Sequence, residues 1–243
     1  MEKLLSIGQT AKLLGCSVDA LRRWDKSGQF LAVRQKGEGK HRYYRLSDLE
    51  EFSKSLDSFN LAKKWITDKK GFEPLPPYYC PDSYVFQARL SRMGEESKEK
   101  KEANEFFPLI VAVAGEIGNN SFDHNLGNWT DIAGVFFSYN LGKGEVVLAD
   151  RGQGILKTLR RVKPKLKNHR EALETAFTEI ISGRLPEHRG NGLKYVKETV
   201  TGNKMKLFFQ TGNAYFVLNR RNSKINIKTS DFSLRGCLAK ISF

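Results

Sequence analysis

The larger part of the chain takes its architecture from Glu145-Val146-Val147-Leu148-Ala149-Asp150-Arg151-Gly152-Gln153-Gly154-Ile155. The apolar run predicts a buried strand, which ends in an aspartate and two glycines one residue apart. Glycines let the backbone turn sharply and approach a ligand closely. Asp150 would accept a hydrogen bond from an exocyclic amine at the end of this strand. An ordinary turn after a strand can have the same form, so this motif alone does not decide function.

A helix with one polar stripe is predicted before this strand, over residues 103–125, where apolar residues recur at helical spacing. Glu116, Asn120 and Asp123 are separated by four and three residues, which places them on one stripe of that helix. An Asn oxygen is a hard ligand suited to Mg²⁺, and a nearby carboxylate can orient or deprotonate a water molecule. A solvated helix face would give the same pattern.

A third motif, Arg189-Gly190-Asn191-Gly192-Leu193, predicts a glycine turn that opens a helix. The free amides of that helix would cradle phosphate. The insert between the two glycine motifs, residues 156–188, carries basic residues without acids over 157–170. This run would contact phosphates or DNA, or form the solvated face of a lid helix.

These motifs, E-x-x-x-N-x-x-D, then D-x-G-x-G, then G-x-G-L, resemble in their order the GHKL (Bergerat) ATPase fold of gyrase-type, chaperone-type and histidine-kinase ATP-binding domains. The resemblance covers residues 103–243 and implies a two-layer α/β sandwich. It implies that Asn120 ligates Mg²⁺ and that Asp150 reads the adenine amino group. It also implies that Glu116 corresponds to the general base of those family members that hydrolyse ATP. The ATP-binding residues that the resemblance implies are Asn120, Asp123, Asp150, Gly152, Gly154, Gly190 and Gly192.

The chain also departs from this family's pattern. His188 and Arg189 stand where richer versions of the third motif have glycine, which puts closure around the phosphates in question. The sequence has no H-E-x-x-R-x-P phosphoacceptor segment. This argues against a sensor histidine kinase.

The N-terminal residues predict two short helices joined by a tight turn. Ser6-Ile7-Gly8-Gln9 has the form of a capping box, and Gly15 supplies a helix stop. Ser17 caps the second helix, which carries Arg22 and Arg23 on its outer side. This is the helix-turn-helix arrangement, whose second helix enters a major groove.

A hairpin and a third helix are predicted next. Residues 30–34 and 41–45 flank a basic tip that contains Gly37 and Gly39. This tip would lie over phosphates or reach the minor groove. Ser47-Asp48-Leu49-Glu50 has the form of a second capping box, opening a helix through Leu56.

Residues 5–17, 21–25 and 40–44 resemble the MerR-like winged helix-turn-helix, most closely the version found in certain serine recombinases and excisionase-type proteins. The resemblance covers residues 4–56 and implies that Trp24 and Tyr43 belong to the core. It implies major-groove contacts from Arg22 and Arg23. It also implies phosphate contacts from the residues of the wing, namely Lys36, Lys40, His41 and Arg42.

Composition agrees with a globular, nucleic-acid-binding protein. The 243 residues include 41 Lys and Arg against 27 Asp and Glu, a formal net charge of +14, which favours a polyanionic partner. No apolar run approaches the roughly 20 residues that a membrane helix needs. The three cysteines form no C-x-x-C pair, which argues against a disulfide framework or a zinc ribbon. We therefore expect a cytoplasmic protein without a membrane partner.

The sequence thus predicts an α+β protein with a winged helix-turn-helix at 1–56, a helical and Pro-rich connector at 57–102, and the ATP-binding domain at 103–243. In the connector we expect helices at 59–70 and 84–93 and a loop at 94–102. Strands at 207–209, 214–218, 225–227 and 238–243 would complete the sheet.

The favoured function is a DNA-binding, transcriptional regulator that binds Mg-ATP as a sensor or switch. The alternative is a slow ATPase, or a serine/threonine protein kinase resembling the anti-sigma kinases, tethered to DNA. A third interpretation is a degenerate pocket that serves as an interaction scaffold. The sequence leaves open whether the protein acts as a homodimer or with a protein partner.

Overall fold

The structure is a computed structural model that describes residues 3–34, 41–98, 106–180 and 192–243. Three residues assigned to sites above, Lys36, Lys40 and Gly190, lie outside these ranges.

The N-terminal module consists of β1 (Leu4–Ser6), α1 (Ile7–Leu13), α2 (Val18–Ser27), β2 (Tyr43–Arg45) and α3 (Leu46–Ser53). The capping box predicted at Ser6 is confirmed, and Ser17 caps α2 as expected. Gly28 ends α2 in the left-handed conformation, at φ 77°. β1 pairs antiparallel with β2, and Val33 bridges to Tyr43, which forms the base of the wing.

The start of α3 differs from the prediction. This helix begins at Leu46, with Arg45 at the N-cap and no side-chain cap, and it ends at Ser53. The expected capping box at Ser47 is therefore wrong. Pairing with β1 keeps the backbone extended as far as Arg45, and the chain enters the helix directly from the strand.

The connector is built into the fold. It contains α4 (Ser58–Thr67), β3 (Tyr79–Cys80) and α5 (Ser83–Lys98). The loop expected from residue 94 onward is wrong for 94–98, which continue α5. The reason is burial: Met93 and Ser97 lie on the covered face of this helix, which packs against the next one along the chain.

The C-terminal part contains α6 (Phe107–Asn125), β4 (Val135–Asn140), β5 (Glu145–Asp150), α7 (Gly154–Leu159), α8 (His169–Thr178), α9 (Gly192–Gly202), β6 (Lys206–Asn219) and β7 (Lys228–Ser242). Its sheet has the order β3-β4-β5-β7-β6, with antiparallel pairs. The strands expected at 207–209 and 214–218 form one strand with irregularities at Gly212, and 225–227 lies outside the strands.

Both faces of the sheet are covered, as alternation along β5 shows. Val146 and Leu148 belong to the core under α6, α8 and α9. Val147 and Ala149 belong to a second core, which includes Trp65 of α4 and extends to buried residues of the winged helix. The prediction of two layers is therefore incomplete. Helix α4 covers the second face of the sheet, where it packs on β5 and β7.

Candidate functional site

Helix α6 carries the first group of site residues. The Nδ2 of Asn120 donates to Oε1 of Glu116 at 3.3 Å, one helical turn away. Because the amide nitrogen faces Glu116, the amide oxygen of Asn120 is directed away from that carboxylate. Both side chains are half-buried, whereas Asp123 lies on the exposed side of the helix.

The carboxylate of Asp150 is buried at the end of β5, with 2% of the residue exposed. Its Oδ2 accepts from the Ser121 hydroxyl at 2.9 Å, and its Oδ1 accepts from the Gly152 amide at 2.9 Å. Burial raises the pKa of Asp150 to about 6, although these donors and the Cys237 amide act in the opposite direction. The group is thus an oriented acceptor that is costly to ionise.

Asn125 organises the glycine turn after Asp150. Its Oδ1 accepts from the Gln153 amide at 2.8 Å, and its Nδ2 donates to the Ser121 carbonyl at 2.8 Å. A Cβ at Gly152 would overlap the Asn125 amide. Gly154 has φ 72°, so a side chain there would be strained as well. Both glycines of this motif are therefore required by the local geometry.

Ser121 and Asn125 were not among the predicted site residues. The available signal was their spacing of four residues on a covered face of α6 that is otherwise largely apolar. Such a polar pair needs partners in the core, and Asp150 with its turn supplies them.

The third motif meets α6 at Gly192, the first residue of α9. A Cβ at Gly192 would overlap the carboxylate of Glu116. Glu116 therefore lies at the N-terminus of an 11-residue helix, where amides without helical partners and the helix dipole favour negative charge. Helix α6 thus contacts both the turn after Asp150 and the start of α9.

The basic run before and within α8 is partly committed to internal contacts. Arg160 donates to the carbonyls of Leu166 and Lys167, each at 2.9 Å. Arg161 donates to Gln153 in the glycine turn, at 2.8 Å. These guanidiniums hold the segment after α7 in place, which neither interpretation of the run included.

Arg151, also missed, is buried although it lies between Asp150 and Gly152. Its guanidinium donates to both oxygens of Asp131 and to the carbonyls of Trp65 and Asp68. An arginine in the middle of D-x-G-x-G gave no sign of this role, because its partners are about 20 and 85 residues away in the chain.

The outer side of α2 presents exposed cations. Arg22 and Arg23 are exposed, and Arg22 is paired with Asp19 across one helical turn at 2.9 Å. His41, at the described start of the second wing segment, is exposed as well. The side chains of these three predicted DNA contacts are therefore on the surface.

Arg42 has a different environment. Its Nε donates to Oδ2 of the buried Asp25 at 2.6 Å, beside the guanidinium of Arg34 at 2.7 Å from the same oxygen. Burial opposes ionisation of Asp25, but the Ala32 amide and the two arginines outweigh it and lower the pKa of that carboxyl. Arg42 therefore ties the wing to α2.

Aromatic rings form the core of the winged helix. Phe30 stacks on Tyr44 and on Phe52, with ring centroids 4.8 and 4.3 Å apart. Trp24 packs on Phe52 at 5.1 Å, as expected of a core residue. This packing holds α2 against α3.

Among residues 3–34, 41–98, 106–180 and 192–243, no helix has both the length and the apolar character needed to cross a membrane. In the same ranges, no three His, Cys, Asp or Glu side chains are grouped as metal ligands. An all-protein metal centre is thus not seen in the described part of the chain.

Comparison with known proteins bears on the N-terminal module. Residues 6–44 match the family described as MerR family regulatory protein. A search of curated proteins found no match for this chain. The matched segment contains α1, α2 and the start of β2, together with the exposed arginines of α2. Residues 6–44 of this protein are therefore a MerR-family helix-turn-helix domain, a DNA-binding domain of transcriptional regulators.

Proposed function

We propose that this protein is a transcriptional regulator whose C-terminal part is a GHKL-type domain that binds Mg-ATP and thereby changes the grip on DNA. One observation carries the proposal. Side chains of α6 contact both the turn after Asp150 and the first residue of α9. The three motifs that resemble GHKL ATPases thus meet around one helix.

The purine would be recognised at Asp150. An ionised carboxylate accepts hydrogen bonds only, so it favours the exocyclic amine of adenine over the carbonyl oxygen of guanine. Because Asp150 is covered, the amine would take the place of the Ser121 hydroxyl at Oδ2. We therefore expect binding of ATP to be much stronger than binding of GTP.

The phosphates and metal would be held by the other end of the site. Asn120 offers an amide oxygen, a hard donor suited to Mg²⁺, and the start of α9 offers amides to phosphate. These residues fit a magnesium ion that completes its coordination with water and phosphate oxygens. When bound, the ion would neutralise phosphate charge close to the Glu116 carboxylate.

Equilibrium binding of Mg-ATP tests the proposal. The wild-type chain should bind Mg-ATP, Asp150→Ala should abolish binding, and Asn120→Ala should weaken it and reduce its dependence on magnesium. The matched control is Asp231→Ala, which changes an exposed acidic residue of β7 and should leave Mg-ATP binding normal. Absence of binding by the wild type, or unchanged binding by Asp150→Ala, would refute the site.

A second candidate is an enzyme, a slow ATPase or a protein kinase. It is favoured by the position of Glu116, a carboxylate beside Asn120 at the start of α9. A carboxylate there could orient or deprotonate an attacking water or hydroxyl. If the enzyme is correct, Glu116→Ala should bind ATP without releasing phosphate or transferring it. If wild-type protein binds ATP and neither releases nor transfers phosphate, the protein acts as a sensor.

A further inference from the structure

Arg151 connects the proposed purine site to the far side of the sheet. Because side chains alternate along a strand, Asp150 faces α6 and Arg151 faces the opposite way, toward α4. The side chain of Arg151 has no exposed surface. A movement of the turn that contains Asp150 and Gly152 would therefore displace the buried guanidinium of Arg151, which lies between them in the chain.

The guanidinium is held by groups at the end of α4. It donates to the Trp65 carbonyl at 2.5 Å and to the Asp68 carbonyl at 2.8 Å, and it lies over the Trp65 ring. The last carbonyls of a helix lack the usual amide partner four residues further on, so a cation there is favourable. The Trp65 carbonyl also accepts from the amide of the C-cap residue Asp68, at 3.3 Å. Asp131 pairs with the same guanidinium at 2.5 Å.

Helix α4 in turn supports the helix-turn-helix. The ammonium of Lys64 donates to the Gly15 carbonyl, in the turn between α1 and α2. Just beyond α4, the Gly71 carbonyl accepts from Lys12 of α1 at 3.4 Å. Leu14 and Trp65 also share one apolar core. The position of α2 relative to the sheet therefore depends on α4.

We propose that Arg151 is the positioning residue that transmits occupancy of the purine site to the DNA-binding helix α2. This rests on the proposed function. A nucleotide that displaces Ser121 from Asp150 changes the turn, and the rigid fork of Arg151 carries that change to the end of α4. The coupling is reciprocal, so DNA binding changes the affinity for ATP by the same factor.

The test measures the affinity for DNA with and without Mg-ATP, on a duplex that the protein selects from a random pool. Wild type should show a ratio of roughly fivefold or more, the usual lower range of allosteric coupling. Arg151→Lys and Arg151→Met should bring the ratio close to one, while each still binds ATP and DNA separately. Arg235→Ala is the matched control, because Arg235 also pairs with Asp131, at 3.0 Å, but does so from strand β7 and not from the turn after Asp150.

The outcomes separate this inference from the proposed function. If Arg151→Met keeps the wild-type ratio of DNA affinities with and without Mg-ATP, Arg151 does not have the proposed role. The same holds if Arg235→Ala loses this ratio to the same extent. Either result leaves the proposed ATP switch intact. A wild type without ATP binding, or with a ratio of one, overturns both.

Hydrogen exchange of the wild-type chain provides a measurement that does not depend on the folding of a variant. Mg-ATP should change the protection of amides at 64–71, at the end of α4 and just after it. Unchanged exchange there in ATP-saturated protein overturns the inference.

Discussion

The buried carboxylate of Asp150 is surrounded by hydrogen-bond donors. Its titration should be visible in the pH dependence of the free energy of unfolding. Its folded pKa of about 6 lies above the unfolded value of about 3.9. Between these values the folded state holds a proton that the unfolded state has lost, so the free energy of unfolding falls as pH rises through this window. The loss from this group should be about 2–3 kcal/mol and complete above pH 7.

Asp150→Asn removes this contribution. Its stability relative to wild type should therefore be greater at pH 8 than at pH 4.5, as measured by urea unfolding at both values. Asp231→Asn, on an exposed part of β7, serves as control and should show no such difference. An equal effect of Asp150→Asn at both pH values would contradict the burial of an ionised carboxylate.

The pKa shift of Asp25 has the opposite sign to that of Asp150. Burial raises its pKa, but the Ala32 amide and the guanidiniums of Arg42 and Arg34 prevail and lower it. Its contribution is therefore fully present above the unfolded pKa of about 3.9 and is lost as pH falls through the folded value.

Asp25→Ala should cost about 1–3 kcal/mol at pH 7, because it leaves an amide and two guanidiniums without their acceptor. Asp19→Ala removes an exposed pair from the same helix and should cost less than about 0.5 kcal/mol. Denaturant unfolding of both variants measures the difference. Equal small effects would show that the wing does not need Asp25.

At the scale of elements, two glycines allow α5 to approach α6 closely. A Cβ at Gly118 would overlap the Phe86 ring, and a Cβ at Gly115 would lie 3.0 Å from Leu90. Gly118→Ala should therefore destabilise by about 1–3 kcal/mol despite the better helix propensity of alanine. Gly94→Ala, with its nearest neighbour at 3.8 Å, should instead stabilise by up to about 1 kcal/mol.

Denaturant unfolding of the two alanine variants measures both effects. Phe86→Leu should relieve part of the loss in Gly118→Ala, since the overlap is with the ring. The same stability change at Gly118 and Gly94 would mean that the two helices do not pack as closely as described.

Local signals predicted elements where the chain itself supplies the partner. The capping box at Ser6, the left-handed glycine at Gly15 and the cap at Ser17 depend on residues within one turn, and all are present. The box at Ser47 and the loop after Met93 were wrong because tertiary pairing decided them. Pairing with β1 fixes the start of α3, and burial against α6 extends α5.

The candidate site was predictable only in part for the same reason. Glycines and an acidic strand end have a local signature, which pointed to Asp150 and Gly152. Ser121 and Arg151 act through partners distant in the chain, and sequence spacing carries no information about such pairs. The cover of the second sheet face by α4 likewise results from tertiary packing.

At the scale of the whole molecule, the shared apolar core predicts cooperative unfolding. Leu14 of the winged helix, Trp65 of α4, and Phe136 and Leu238 of the sheet belong to one cluster. A core that crosses module boundaries links their stabilities, so we expect a single transition. Calorimetry together with tryptophan fluorescence measures this. Two resolved transitions would contradict the shared core.

We propose that a nucleotide held at Asp150 controls how the winged helix binds DNA. The most direct measurement is the affinity of wild type and Asp150→Ala for a selected duplex, in the presence of Mg-ATP, Mg-GTP or neither. We expect Mg-ATP alone to change the affinity of wild type, by roughly fivefold or more, and to leave that of Asp150→Ala unchanged. Equal affinities of wild type in all three conditions would contradict it.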